Sequence, residues 1–192
     1  MTVSERSSPQ PSVRARLKVG WERLSDIAHE LRYLATRQQA EVGENYLPYS
    51  PDYDTYLAYE RAGSCIVWTA RTLAWEGGEA NFLGTPQPAD KTTPLVLGRG
   101  ALIGYVIWLT TRGLHSVETT FASADLIYLA PEWREGMTGY KLIKSAVAAI
   151  KPKVDIVKIE TNDLYEDGRM GVLLKRLGFE RIGSVYVQRN RK

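Results

Sequence analysis

The sequence predicts a mixed α/β (α+β) domain, and three observations carry that expectation. Helix-patterned segments come first in the chain. A series of β-branched and aromatic runs follows, and two further helical stretches interrupt those runs instead of alternating with them. Gly- and Pro-rich punctuation separates nearly every segment. The chain has 192 residues, 44% of them hydrophobic, which suits one domain with a sizeable core.

The elements follow in order. Residues 1–12 are rich in Ser, Pro and polar side chains and read as a disordered lead before a single domain spanning 13–192. From Val13 a helical pattern starts, because Leu17, Trp21, Leu24, Ile27, Leu31 and Leu34 form one apolar stripe. A second short helix is expected after Ser50-Pro51, with Ser50 as its cap and Pro51 at its first position. Tyr53, Tyr56, Leu57 and Glu60 punctuate it. "SCIVWTARTLAW" (64–75) reads as a strand. Residues 76–100 carry Gly, Pro and Asp at loop density and form a long inter-strand loop. Strands resume at 101–111 and 119–130. A helix from about Gly139 to Ile150 stops at Lys151-Pro152. A strand at 154–161, a short helix at 171–179 ended by Gly178, and a last strand "ERIGSVYVQR" complete the chain, which has no internal repeat.

Composition narrows the function classes. The formal charge of +3 favours slight attraction to anions and falls well short of a nucleic-acid-binding signature. Cys65 is the sole cysteine, so neither a disulfide framework nor a Cys-based metal site is expected. His29 and His115, the two histidines, do not make a zinc cluster, and no metal is expected. Without a signal region or a bilayer-length apolar run, the sequence reads as a soluble cytoplasmic protein without a membrane partner.

The most informative stretch is "LAPEWREGMTGYKLIKSAV" (129–147). Pro131 lacks an amide hydrogen and ends sheet pairing at Ala130. Gly136 and Gly139 let a ligand approach the main chain, and the helix that follows offers unpartnered amides and a partial positive charge. Arg134 adds a full charge. Together these read as a phosphate or pyrophosphate site, against the plainer reading of an ordinary strand-to-helix turn.

The same stretch resembles the acetyl-CoA-binding signature of the GCN5-related N-acetyltransferases (GNAT superfamily), R/Q-x-x-G-x-G/A after the fourth strand. Arg134, Glu135, Gly136, Met137, Thr138 and Gly139 occupy it. Arg134 and Gly139 match, whereas Met137 stands where the middle glycine is usual and Gly136 lies one place early. "LLKRLGFERIGSVYVQR" (173–189) is similar to the family's closing helix, Gly-Phe pair and last strand. The resemblance runs from about Ser64 to the C-terminus and looks most like members encoded by tailed phages and prophages.

The resemblance implies a central, mostly antiparallel sheet splayed between strands 4 and 5 and flanked by helices, with acetyl-CoA as co-substrate. Amides of Arg134, Glu135, Gly136, Met137, Thr138 and Gly139 would hold the pyrophosphate, with Tyr140 at the helix start. Tyr128, Leu129 and Ala130 would pair the pantetheine arm, and an amide near Leu129 would polarise the acetyl carbonyl as an oxyanion donor does.

Acetyl transfer to an amine needs a base for the ammonium proton and an acid for the departing thiolate. Family members often place a tyrosine four residues before the Gly-Phe pair; here Leu174 stands there, and Tyr165 is the substitute candidate. Three bases compete: Glu160 at the end of the fifth strand, His115 in the loop before the fourth, and Asp125. Histidine is the residue suited to proton traffic near neutral pH. Period-two alternation places Asp125 on the side of Ile127 and Leu129, where a carboxylate calls for a hydrogen-bond partner and is more often structural. His29 reads as a helix-surface residue.

The expected partner is an amine-bearing protein or small molecule, and a homodimer is compatible with the sequence. Tyr46, Tyr49, Tyr53 and Tyr56 with Asp52 and Asp54 could receive a cationic amine or simply pack the second helix against the sheet. The terminal "RNRK" reads as a solvated tail. The leading reading is a direct N-acetyltransferase. Its rival is a GNAT-fold CoA-binding or regulatory protein with weak or lost turnover, and a nucleic-acid function lacks a basic stripe.

Overall fold

The computed structural model describes residues 17–42, 50–72, 100–161 and 168–182. The polar lead 1–12, residues 76–99 of the long loop, Tyr46, Tyr49, Tyr165 and residues 183–189 of the last strand lie outside them.

Five strands form one mixed sheet in the order β1-β2-β3-β4-β5: Leu17–Glu22, Cys65–Thr72, Leu102–Arg112, Thr120–Leu129 and Ile156–Ile159. The first three pairings are antiparallel and β4 pairs β5 in parallel. Helices α1 (Leu24–Val42) and α2 (Tyr53–Arg61) lie between β1 and β2 in the chain. Helix α3 (Thr138–Ile150) joins β4 to β5, and α4 (Arg169–Arg176) follows β5. The mixed α/β architecture is the one that the sequence predicts.

The first segment departs from expectation. Leu17–Glu22 is a strand paired from Leu17↔Thr72 to Glu22↔Val67, and the helix starts only at Leu24. Leu17, Trp21 and Leu24 are four and three apart, a spacing that suits a helix equally well. Gly20 weakens a helix by about 1 kcal/mol, and the ladder with β2 decides the outcome.

Two cores sandwich the sheet. On one face Leu24, Ile27, Leu31 and Leu34 of α1 meet Val67, Tyr105, Ile107 and Tyr128, with Tyr53, Tyr56 and Leu57 of α2 packed beside them. On the other, Leu142, Ala146 and Ile150 of α3 meet Ala70, Val106, Trp108 and Ala122. The N-terminus of α1 is closed from α2, whose Glu60 carboxylate accepts from the amides of Leu24 and Ser25. Asp52, rather than Ser50, caps α2 by accepting from the Thr55 amide at 3.0 Å. Lys151-Pro152 ends α3 in a 3₁₀ turn, as its proline requires. Gly178, at φ +85°, terminates α4 in the left-handed region that favours glycine. Residues 180–182, placed by sequence in the last strand, are in no strand. Among the described residues, no helix is long and apolar enough to cross a membrane.

Candidate active site

The site is built on β4, which has two unlike halves. From Phe121 to Ala124 it is paired on both sides, the last pair towards β5 being Ala124↔Ile159. There β5 ends, while β4 continues to Leu129 with β3 as its one partner among the described residues. The change falls on a bulge: Trp108 pairs with Ala124 and Ile107 with Leu126, leaving Asp125 as the extra residue. A bulge bends its strand and increases the local twist, and this one falls where the pairing with β5 stops. Among the described residues nothing pairs with the β5 side of β4 along Asp125–Leu129, a gap in the ladder about 13 Å long, four residue steps at the usual strand rise.

Hydrogen bonding shows which groups face that gap. Ala130 donates its amide to the Ile103 carbonyl at 2.8 Å. Backbone groups of Ala130, Tyr128 and Leu126 therefore turn towards β3, and those of Ile127 and Leu129 turn outward. Tyr128 is bound into the sheet by its main chain and buried by its ring, which lies 6.1 Å from that of Tyr105. Ile127 is an outward residue that the sequence reading missed, because the phase of the ladder is not visible in the residue types.

After β4, Pro131–Trp133 makes one 3₁₀ turn and α3 starts at Thr138. Gly136 takes φ +73°, which requires glycine at little strain. Met137, the N-cap residue, is exposed and gives no side-chain cap. The first helical bond runs from the Lys141 amide to the Met137 carbonyl, so the amides of Thr138, Gly139 and Tyr140 precede the ladder. A Cβ on Gly139 would meet only Leu129 Cδ2, at an ordinary 3.6 Å. The protein's own packing leaves this position open. Uncapped amides, a partial positive helix end and two outward donors on β4 suit a ligand with an anionic group and carbonyls.

Arg134 is placed differently from the sequence expectation. Its Nε donates to the Leu129 carbonyl at 2.8 Å, and its two terminal nitrogens hold both carboxylate oxygens of Glu41 on α1. Its guanidinium lies 5.5 Å from the centre of the Tyr128 ring. Glu135 is exposed beside it.

The catalytic candidates separate along the sheet. Glu160 stands one residue past β5 and is exposed. Val157 and Ile159 pack with the α3-side core, so alternation puts Glu160 on the α1–α2 face. Asp125 is exposed and accepts a hydrogen bond from the Tyr56 hydroxyl of α2. This corrects its sequence placement: Ile127 and Leu129 pack on the opposite, α3-side core, and the bulge has shifted the alternation. Asp125 and Glu160 thus sit one step beyond the last β4–β5 pair, on strands about 5 Å apart at that point. His115 lies in the β3–β4 hairpin, at the far end of β4 and roughly 30 Å of strand from Leu129. His29 is exposed on α1, as expected. Tyr53 and Tyr56 pack against the core and Asp52 is taken up as a cap, which is the structural alternative for the Tyr/Asp cluster. Leu174, where the family's acid is usual, is buried on α4.

No protein-family model matches the sequence, and no curated protein does. Solved structures do share its fold. An aminoglycoside acetyltransferase, meta-AAC0020, from an uncultured soil metagenomic sample aligns over 91% of this chain and 97% of its own, at TM-score 0.60 and 13% identity. A ribosomal-protein-alanine N-acetyltransferase from Brucella melitensis biovar Abortus 2308 aligns over 92% and 99%, at TM-score 0.60 and 17% identity. Glucosamine-6-phosphate N-acetyltransferase from Arabidopsis thaliana aligns over 92% and 99%, at TM-score 0.57 and 10% identity. The fold is that of the GCN5-related N-acetyltransferases. At such identities the likeness is one of fold.

Proposed function

We propose that this chain is an acetyl-CoA-dependent N-acetyltransferase that moves an acetyl group directly to an amine of a protein or small molecule. One observation carries the reading: the gap beside β4 starts at the Asp125 bulge and leads to the uncapped N-terminus of α3. Acetyl-CoA, when bound, supplies the activated thioester. The Arg134 amide is given to the Pro131 carbonyl, so the amides of Glu135 to Tyr140 would take its diphosphate, and the outward amides of Ile127 and Leu129 would bind and polarise carbonyls. Glu160, at the apex, would accept the proton that the amine loses as its N–C bond forms. Asp125 is the second carboxylate in reach, already engaged by Tyr56. Tyr165 would return a proton to the thiolate as the C–S bond breaks. Cationic amines suit the paired carboxylates.

The test joins calorimetry with turnover. Coenzyme A should bind the native chain, and Gly139→Val should abolish that binding without unfolding it, since a Cβ there has room. Thiol release from acetyl-CoA with an amine panel should fall about a hundredfold in Glu160→Gln and stay unchanged in His115→Ala. Absence of heat with coenzyme A would end the proposal. The buried Leu174, which has no hydroxyl to offer, favours a second reading as a CoA-binding or regulatory protein. Thermal stabilisation by coenzyme A with no release on any amine would select that one.

A further inference from the structure

Two residues on the C-terminal half of α1, Arg37 and Glu41, address the turn between β4 and α3, and a third, Gln38, reaches the strands behind it. Arg37 holds the Glu132 carboxylate through both terminal nitrogens, at 3.0 and 2.9 Å. Glu41 holds Arg134, as described. Between them Gln38 accepts the Tyr105 hydroxyl and donates to the Ile127 carbonyl at 3.4 Å. The two ion pairs run in opposite senses, so the turn receives one helix cation and one helix anion. Four charges cancel. Arg134 uses Nε and both terminal nitrogens on groups of the protein, and its plane rests near Tyr128. Three of its five N–H groups are thus spent, and because Nε is among them no fork is left over: a bidentate grip on a phosphate would require giving up the Leu129 carbonyl or the Glu41 pair.

We infer that Arg134, Glu41, Arg37 and Glu132 form a clasp of positioning residues: they fix the turn so that the α3 amides and the β4 edge face one ligand, and Arg134 does not itself bind the diphosphate. The inference rests on the proposed function and assigns the turn's side chains within it. Bidentate pairs set orientation as well as attraction, which is what a loop between two binding elements needs. Main-chain amides and the helix end then supply the positive character that Arg134 would otherwise bring.

Coenzyme A affinity of the full chain, measured by calorimetry with each variant's melting temperature recorded beside it, tests this. As a clasp, Glu41→Gln should weaken binding about fivefold, the size of one well-formed exposed pair. Arg134→Lys should weaken it similarly, because an ammonium cannot reproduce the fork. Arg37→Glu and Glu132→Arg should each weaken binding, and the two together should restore it. In turnover the single variants should raise the KM for acetyl-CoA and leave kcat in place. Tighter binding in Glu41→Gln with native affinity in Arg134→Lys would overturn the inference, making Arg134 a phosphate ligand and Glu41 its competitor. A charge exchange that restores nothing would overturn it as well. If the native chain binds no coenzyme A, the proposed function itself fails, a result distinct from both.

Discussion

Helix α1 meets arginines from the sheet side at both of its ends. Near its start Glu30 shares Arg71 with Glu22 of β1: Arg71 Nε and Nη2 reach Glu22 at 2.7 and 3.0 Å, and Nη1 and Nη2 reach Glu30 at 2.7 and 3.0 Å. Nη1 also donates to the Gly100 carbonyl at 2.9 Å. Near its end Glu41 holds Arg134 and Arg37 holds Glu132. The side chain of Arg71 is 3% exposed and that of Arg134 is 40% exposed. Burial alone would lower the Arg71 value, but the bonds from Glu30 and Glu22 outweigh it and hold the guanidinium charged. The first network welds β1, α1 and β2 to the residue run that leads into β3. The second, open to water, adds little stability and instead sets the geometry of one turn. Similar bonds do different work because solvent sets their worth.

The largest effect should follow from breaking the buried network. Arg71→Met removes a cation from between two carboxylates, and breaking a buried pair costs roughly 3–5 kcal/mol. Glu22 and Glu30 are 18% and 29% exposed and can turn partly to water, so about 3 kcal/mol is the expectation. The urea midpoint should show it. Arg134→Gln should cost under about 1 kcal/mol in the same assay. Equal losses in the two variants would erase the contrast between the ends of α1.

Sequence reading found most elements of this molecule because they are written locally. The α3 stripe, the stop at Lys151-Pro152 and Gly178 past α4 each depend on residues within a few positions. What it misassigned depends on distant partners. Leu17–Glu22 is a strand only because Cys65–Thr72 lies beside it. Asp125 changes sides only because β3 matches two β4 residues to Trp108. Arg134 was legible as a charge next to glycines; that Glu41, 93 positions earlier, would occupy it was not. The amides of 138–140 were readable from the motif, whereas the outward turn of Ile127 needed the ladder's phase.

Cys65, at the other end of β2 from Arg71, offers a gauge of the interior under α1. It is buried, and that burial, followed by the charges of Glu60 and Asp125, pushes its thiol up to about 11 from an ordinary 9.0. Such a shift leaves roughly a hundredfold less thiolate at pH 8, and the thiolate is the reactive form. Labelling of the native chain by a disulfide reagent should be at least that much slower than labelling in urea. Asp125→Asn should quicken it slightly by removing one nearby anion. Native labelling as fast as unfolded labelling would place Cys65 outside the core and undo the packing assigned to α1 over β2.

The smallest effect sharpens the exposed end. The bond from Arg37 holds the Glu132 carboxyl below its ordinary 4.5. A depressed carboxylate stabilises the fold above its unfolded value and loses that contribution as pH falls through the folded one. The Arg37–Glu132 bond should therefore contribute fully from pH 7 down to about 4.5 and fade only below it. Glu132 is half exposed, so solvent screening keeps the contribution under about 1 kcal/mol. Urea midpoints of the native chain and Arg37→Gln should differ by a constant amount between pH 7 and 5, then converge on further acidification as Glu132 takes up its proton. A gap that persists undiminished once Glu132 is protonated would mean that Arg37 holds the turn through its hydrocarbon stem, and the clasp would then owe nothing to its charges.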